Sequence, residues 1–224
     1  MELSERTLAV LKNYASINPN IVFNAGNVIK TMAVARNVVS KATVDEEFPK
    51  TFGIYDLNEF LNVLQLVKNP NMSFSDNYVT ITDGAGLSSI KYYYSDPDML
   101  TVPTKDIVMP DAEVKFTLTK ETLAQIKSAS SALGHQEISI TPSNGSVALS
   151  IVDIKDATSN SYSILAAAEY EEGLDFNFVV NVNNIKVVPE TFQVEISSKL
   201  ISNFRSLNSN IEYFIALEKS STFA

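Results

Sequence analysis

The chain has no cysteine and a single histidine among its 224 residues. Disulfides, thiolate zinc sites and cysteine nucleophiles are excluded by the first absence, and a metal cluster built on several histidines by the second. A Ser-His-Asp triad would have to rest on His135, in a Gly-His stretch that reads as an exposed loop. The stretch DGAGLSS at residues 83–89 lacks the lysine and the spacing of a phosphate-binding P-loop, and NAGNV at 24–28 lacks the triple glycine of a dinucleotide site. The carboxylate pairs Glu46/Glu47 and Glu171/Glu172 are adjacent, which in a strand sends them to opposite faces, so they read as solubilising surface. No catalytic residue, metal or cofactor is therefore expected, and the chain is not expected to be an enzyme. No apolar run approaches the roughly 20 residues of a membrane span, and MELSERTLAVLK carries charge where a secretory signal needs a long apolar stretch. The expectation is a protein with no membrane partner that stays in the compartment where it is made. Without a secretory route the sequons at Asn71 and Asn144 carry no meaning.

Positive charge is also scarce. Seventeen Lys and Arg face 26 Asp and Glu, a net charge of −9, which argues against a protein that coats nucleic acid through clustered cations. A ring, however, can be acidic outside and basic in its hole, so the direction of the 17 basic residues matters more than the total.

What is abundant is apolar surface, at 45% of residues, enough for one large domain or two of about 110 residues. In FGIYDLNEFLNVL, residues 52–64, the period changes at Asp56. Phe52, Ile54 and Tyr55 close an extended segment, whereas Leu57, Phe60, Leu61 and Leu64 fall on one helical face. Asp56 can accept from the free N–H groups of the first turn, and Glu59 completes a pattern like a capping box. Related modules recur. Ser4 precedes Leu8, Leu11 and Ala15; Val114, Phe116 and Leu118 alternate into Thr119, followed by Leu123, Ile126 and Leu133; Asn181 follows FNFVV and precedes Ile185 and Val188. Caps at 4, 56, 119 and 181 lie 52, 63 and 62 residues apart, as if one unit were written four times.

Strands fill the intervals, punctuated by turn signals at Gly26, Asn77, Asp83–Gly86 and the hairpin pair Asn144–Gly145. The stretch from Ser95 to Val114 holds three prolines and no sustained period, which marks a linker. The reading is an α+β chain of two similar halves: residues 1–98, a connector at 99–112, and residues 113–224.

The pieces LSERTLAVLKNYASIN, FGIYDLNEFLNVLQLV, SDPDMLTVPTKDIVMP, FNFVVNVNNIKVVPETFQVEI and EYFIALE, in this order, resemble the DNA polymerase sliding clamps of T-even-type bacteriophages. YDLNEFL is the most specific of them, and residues 134–172 are the least distinctive. The resemblance implies the DNA clamp fold: two similar domains per chain, each with antiparallel sheets outside and two helices inside, three chains closing head to tail into a homotrimeric ring. It also implies a function, encircling duplex DNA without sequence specificity and tethering the replicative polymerase for processive viral replication. Further implied partners are an ATP-dependent clamp loader and, in late viral transcription, a sigma-like factor and its coactivator. The implied location is the cytoplasm of an infected bacterial host.

On that reading Asp56 drops the chain from the outer sheet onto the wall of the pore. The basic residues on or beside the four helices are Arg6, Lys12, Lys68, Lys120, Lys127 and Lys186, and they are the expected DNA-facing set. The second helix has no Lys or Arg at all, which suits sliding on loose phosphate contacts more than tight binding. A pocket for a hydrophobic C-terminal peptide of the polymerase would draw on Leu100, Val102, Ile107, Val108 and Met109 of the connector with Phe214 and Leu217 near the C-terminus. Subunit contacts would use edge strands carrying Ile90, Tyr92 and Tyr94 on one side and Tyr162, Ile164 and Ala166 on the other. The competing reading is a trimeric, β-rich structural or adhesion subunit of a virion, which the regularly spaced capped helices disfavour.

Overall fold

A computed structural model describes residues 1–156 and 158–224 of the chain. It divides into two compact units, Met1–Lys105 and Asp106–Ala224. The first unit opens with α1 (Glu5–Ile17) and continues through β1 (Ile21–Phe23), β2 (Gly26–Met32), β3 (Val38–Phe48) and β4 (Phe52–Ile54). Then come α2 (Leu57–Gln65), β5 (Asn71–Phe74), β6 (Tyr78–Thr82), β7 (Ser89–Tyr93) and a short 3-10 turn at Pro97–Met99. The second unit runs β8 (Val114–Leu118), α3 (Lys120–Leu133), β9 (Glu137–Ser143), β10 (Ser146–Val152), β11 (Tyr162–Glu169) and β12 (Phe176–Asn181). It ends with a 3-10 turn at Val182–Asn184, then β13 (Phe192–Ser197), β14 (Ile201–Ser206), β15 (Ile211–Ala216) and β16 (Thr222–Phe223). From α1 and from α3 the order begins alike, a helix and four strands; α2 and three strands follow in the first unit, the 3-10 turn at Val182–Asn184 and four strands in the second.

In the first unit β1 pairs with β4, β2 with β3, and β5, β6 and β7 form a meander. In the second unit the strand order is β16-β12-β9-β10-β11-β8-β13-β14-β15. These pairings are antiparallel, and side chains alternate as the pleat demands: Val38, Ser40, Ala42 and Val44 of β3 are buried and the residues between them are not. Turn chemistry follows the sequence. Asn144 and Gly145 both sit at positive φ, 43° and 75°, the conformation of a two-residue type I′ hairpin.

The helices lie where their caps begin them. Ser4 accepts from Thr7 N–H, Thr119 Oγ1 from Thr122 N–H at 3.1 Å, and Asp56 Oδ1 from the N–H groups of Asn58 and Glu59 at 2.9 and 3.1 Å. Each then buries one stripe: Val10, Leu11 and Tyr14 on α1; Leu57, Phe60, Leu61 and Leu64 on α2; Leu123 and Ile126 on α3. The first unit's core adds a stacked pair, Phe23 and Phe52, with ring centroids 4.8 Å apart. Each such buried phenyl contributes roughly 2 to 3 kcal/mol of transfer free energy.

The fourth expected helix is not one. After Asn181 the chain makes a single 3-10 turn, Val182–Asn184, and Ile185 leaves it at φ −80°, ψ 62°. Val182, Ile185, Val187 and Val188 are β-branched, and two of the first three residues after the cap are asparagine. Pro189 has no N–H to donate and disfavours the α region at Val188. The Val188 N–H donates to Tyr213 Oη at 3.2 Å instead of to a helical carbonyl. Among the described residues the second unit thus has one α-helix and one helical turn where two helices were expected.

Candidate nucleic-acid interface and docking segment

The exposed faces of the three helices carry short neutral side chains with a few charges among them. On α1 these are Glu5, Arg6, Ala9, Lys12 and Ser16; on α2, Asn58, Glu59, Asn62 and Gln65; on α3, Lys120, Glu121, Ala124, Gln125, Lys127, Ser128 and Ser131. Together the helices hold four cations against three carboxylates, whereas the whole chain holds 17 against 26. The helices thus carry a net charge of +1, four cations less three carboxylates, in a chain whose net charge is −9. Such a surface can approach polyphosphate without strong repulsion and without the dense cation array that would hold one position tightly.

Each expected DNA-facing residue is exposed. Arg6 reaches Asp45 of β3 at 3.9 Å, an ion pair between exposed partners that contributes little. Lys12 lies on the outward face of α1. Lys68 lies beyond α2 in a turn whose carbonyl accepts from Gly84 N–H. Lys120 and Lys127 share one face of α3, two turns apart. Desolvation by the surrounding chain holds the Lys127 ammonium pKa below the ordinary lysine value. Lys186 stands on the irregular segment after the 3-10 turn and not on a helix.

Tyr92 shapes the start of α2. Its hydroxyl donates to Glu59 Oε2 at 3.1 Å, and its ring meets Phe60 edge-on at 5.2 Å. Partial burial, with the Glu59 hydrogen bond and the charges of Glu59 and Asp56, pushes the phenol pKa well above its usual range. Tyr94, whose ring lies tilted against Phe52 with centroids 4.9 Å apart, has its phenol pKa raised by burial to about 12.

The connector begins in a fixed path. Asp96 caps the turn at Pro97–Met99, and Ser95 N–H donates to Gly53 O at 2.9 Å. Gly53 is required by that approach: a Cβ there would lie 2.6 Å from Ser95 O and 2.7 Å from Leu100 Cδ1. Of the expected pocket residues, Leu100 is buried within the first unit, at 8% exposure, and Val102 is half-buried. In the second unit Ile107 and Met109 are half-buried, Val108 is 85% exposed, and Phe214 and Leu217 are buried. Val108 is the one side chain of the set that stands out in solvent.

Among the described residues β7 pairs on one side only, with β6, and β11 pairs with β10 along 162–167 before meeting β8 at Ala168 and Glu169. Both strands named for subunit contacts therefore offer a free backbone edge. Ile90, Tyr92 and Tyr94, like Tyr162, Ile164 and Ala166, lie on the half-buried faces, and the exposed positions are Ser89, Lys91 and Tyr93 on β7 and Ser163, Leu165 and Ala167 on β11.

Three residues that the sequence reading passed over hold this region together: Asn18, Asn20 and Gly53. His135 is half-buried, with Nε2 3.0 Å from Asn160 O. Among the described residues no group of three or more His, Cys, Asp or Glu is placed to hold a metal, and no helix is long and apolar enough to cross a membrane.

The chain matches two family models in succession, "DNA polymerase processivity factor" over residues 4–109 and "gp45 sliding clamp, C terminal" over residues 115–219. Curated relatives bearing the name sliding clamp are similar along their whole length. The one from Vibrio phage KVP40 is 31% identical over 97% of this chain and 99% of its own; those from Escherichia phage RB69 and Enterobacteria phage T4 are each 32% identical over 99% of both chains. Among solved structures, Proliferating Cellular Nuclear Antigen from Entamoeba histolytica shares the fold, with a TM-score of 0.68 and 17% identity over 95% of this chain and 94% of that one.

Proposed function

Because the chain belongs to the DNA polymerase processivity factors of T4-like phages, the sliding clamps, we propose that it works by topology, as a head-to-tail homotrimeric ring around duplex DNA. The family is one of non-catalytic accessory proteins for phage DNA replication, and this membership displaces the virion-subunit reading. The observation that supports the ring mechanism most directly is the contrast between the helix faces and the rest of the chain: short neutral side chains, four cations against three carboxylates, in a protein of net charge −9.

In this reading Arg6, Lys12, Lys120 and Lys127 line the pore from α1 and α3, and Lys68 and Lys186 stand at its margins. Flexible cations at this density exchange phosphates as the ring moves and read no bases. Residues 1–98 and 113–224 are the two clamp domains, joined by the connector at 99–112. The free edges of β7 and β11 pair between successive subunits. The connector receives the hydrophobic C-terminal peptide of the polymerase, and tethering raises the local polymerase concentration so that rebinding outruns escape. An ATP-dependent loader opens the ring, and in late transcription a sigma-like factor and its coactivator use the same tether. The protein is no enzyme and acts in the cytoplasm of the infected host.

The test combines native mass with retention on circular and linearised nicked DNA after loading with the cognate loader and ATP. The expected result is a mass near three times 24.6 kDa, with protein held on the circle and lost from the linear form. A monomer, or a trimer held on neither template, overturns the ring mechanism.

A further inference from the structure

The turn that follows α1 ties three parts of the first unit together. Asn18 is only 1% exposed. Its N–H closes α1 on Tyr14 O at 2.9 Å, and its Nδ2 donates to Met32 O at the end of β2, 2.7 Å, and to Thr101 O in the connector, 2.9 Å. Its Oδ1 accepts from Asn20 N–H at 2.9 Å. Asn20 in turn donates through Nδ2 to Tyr55 O at 2.7 Å, just before the cap of α2, and accepts through Oδ1 from Thr101 N–H at 3.4 Å. Pro19 O accepts from Leu57 N–H, the first residue of α2, at 2.8 Å.

Thr101 therefore has both of its backbone groups bound by asparagine side chains. A carboxamide offers a donor and an acceptor side by side, as a peptide group does, so the pair stands in for a neighbouring strand. One residue earlier Leu100 packs against Gly53, and Ser95 is bonded to the same glycine. The connector is thus fixed from Ser95 to Thr101 before it reaches its exposed stretch.

We propose that Asn18 and Asn20 are the positioning residues of the connector, holding Thr101 against the end of α1 and the start of α2 so that the residues after it are ordered before any partner arrives. This rests on the reading of the connector as the docking segment for a partner peptide. An extended segment without a neighbouring strand samples many conformations, and ordering it costs conformational entropy at every residue. A peptide that meets an unanchored connector must supply that cost, and its apparent affinity falls by the fraction of chains in the competent form.

Because Asn18 is buried and its replacement threatens folding itself, the half-exposed Asn20 carries the test. Asn20→Ala removes the acceptor for Thr101; Asn20→Asp keeps that acceptor and puts a carboxylate oxygen in place of the donor to Tyr55 O, from which the exposed carboxylate can turn away. In the full-length clamp, binding of the cognate polymerase's C-terminal peptide is followed by fluorescence anisotropy, and amide exchange is followed at Thr101 and along the connector. Asn20→Ala is expected to weaken peptide binding about fivefold and to speed exchange at Thr101 by a similar factor, in line with the loss of one hydrogen bond. Exchange in β6 and retention on circular DNA stay at wild-type levels, and Asn20→Asp recovers most of the affinity. Wild-type affinity and exchange in Asn20→Ala overturn the proposal. Peptide binding that is unchanged in Val108→Glu overturns instead the docking reading of the connector, and exchange at Thr101 still judges the anchor.

Discussion

Two places in the molecule begin alike and end differently. β4 runs into Asp56, whose side chain accepts from the next turn, and nine residues of α2 follow; β12 runs into Asn181, which accepts from Asn183 N–H in the same way, and three residues of 3-10 helix follow. The cap is equivalent in kind. What differs is the chain after it. Both stretches hold two asparagines, but Leu57 to Gln65 sets Leu57, Phe60, Leu61 and Leu64 on one stripe, while 182–189 has four β-branched residues and ends in a proline. A cap supplies one or two hydrogen bonds to orphan donors, and nucleation still requires several residues to surrender their freedom for little return. In α2 the burial of four apolar side chains offsets that cost. In the second unit the Val188 N–H finds Tyr213 Oη, and burial pushes the pKa of that phenol up.

The comparison breaks most completely at Phe60. It is 2% exposed and faces the Tyr92 ring, so Phe60→Ala should cost about 3 to 5 kcal/mol in urea unfolding, as large-to-small core replacements do. A loss under 1 kcal/mol would mean that α2 is not held by its stripe. Next come the caps. Asp56→Ala should cost about 1 kcal/mol, and Asn181→Ala only a few tenths, since only one short turn depends on it. Equal costs would show that the cap and not the following sequence decides the outcome.

Charge sharpens the contrast in function. Two cations stand on α3 and none on α2, so Lys127→Ala should lower the slope of log affinity against log salt for duplex DNA by about 0.9. Asn62→Ala should leave that slope where it is. A slope unchanged in Lys127→Ala removes this lysine from the pore.

The smallest effect concerns α1, whose cap is reinforced from outside. Glu46 accepts from Ser4 N–H and from Thr7 Oγ1. Partial burial pushes its carboxyl pKa up, but the hydrogen bonds from Thr7 and Ser4 outweigh it, leaving the pKa below the ordinary 4.5. The folded-state value is thus lower than the unfolded one. The stabilisation is complete above about pH 4.5 and is lost as pH falls through the folded value. Glu46→Gln should flatten the acid limb of a stability profile slightly, and an unchanged limb would assign acid sensitivity elsewhere.

Much of this was legible in the residues, for a physical reason. An N-cap involves three or four consecutive residues, so Ser4, Asp56 and Thr119 announced themselves, as did Asn144–Gly145 and the alternation of Val114, Phe116 and Leu118. The stop at Pro189 was equally local and was outweighed by the regular spacing of the caps. The use of the β7 and β11 faces is not legible in the sequence, because Ile90, Tyr92 and Tyr94 alternate in the same way whether they meet their own core or a neighbour. Asn18 and Asn20 were invisible, since Thr101 lies 83 and 81 residues further along the chain from them.

Gly53 carries a consequence for descent. Backbone from Ser95 and the side chain of Leu100 occupy the space where any other residue would place its first carbon. Every alternative amino acid begins with that carbon, so there is no graded series of replacements and no near-neutral first step. A lineage could change this position only by first moving the path of residues 95–100. Diverging relatives should therefore keep a glycine here through long periods in which the exposed faces of their helices are rewritten freely.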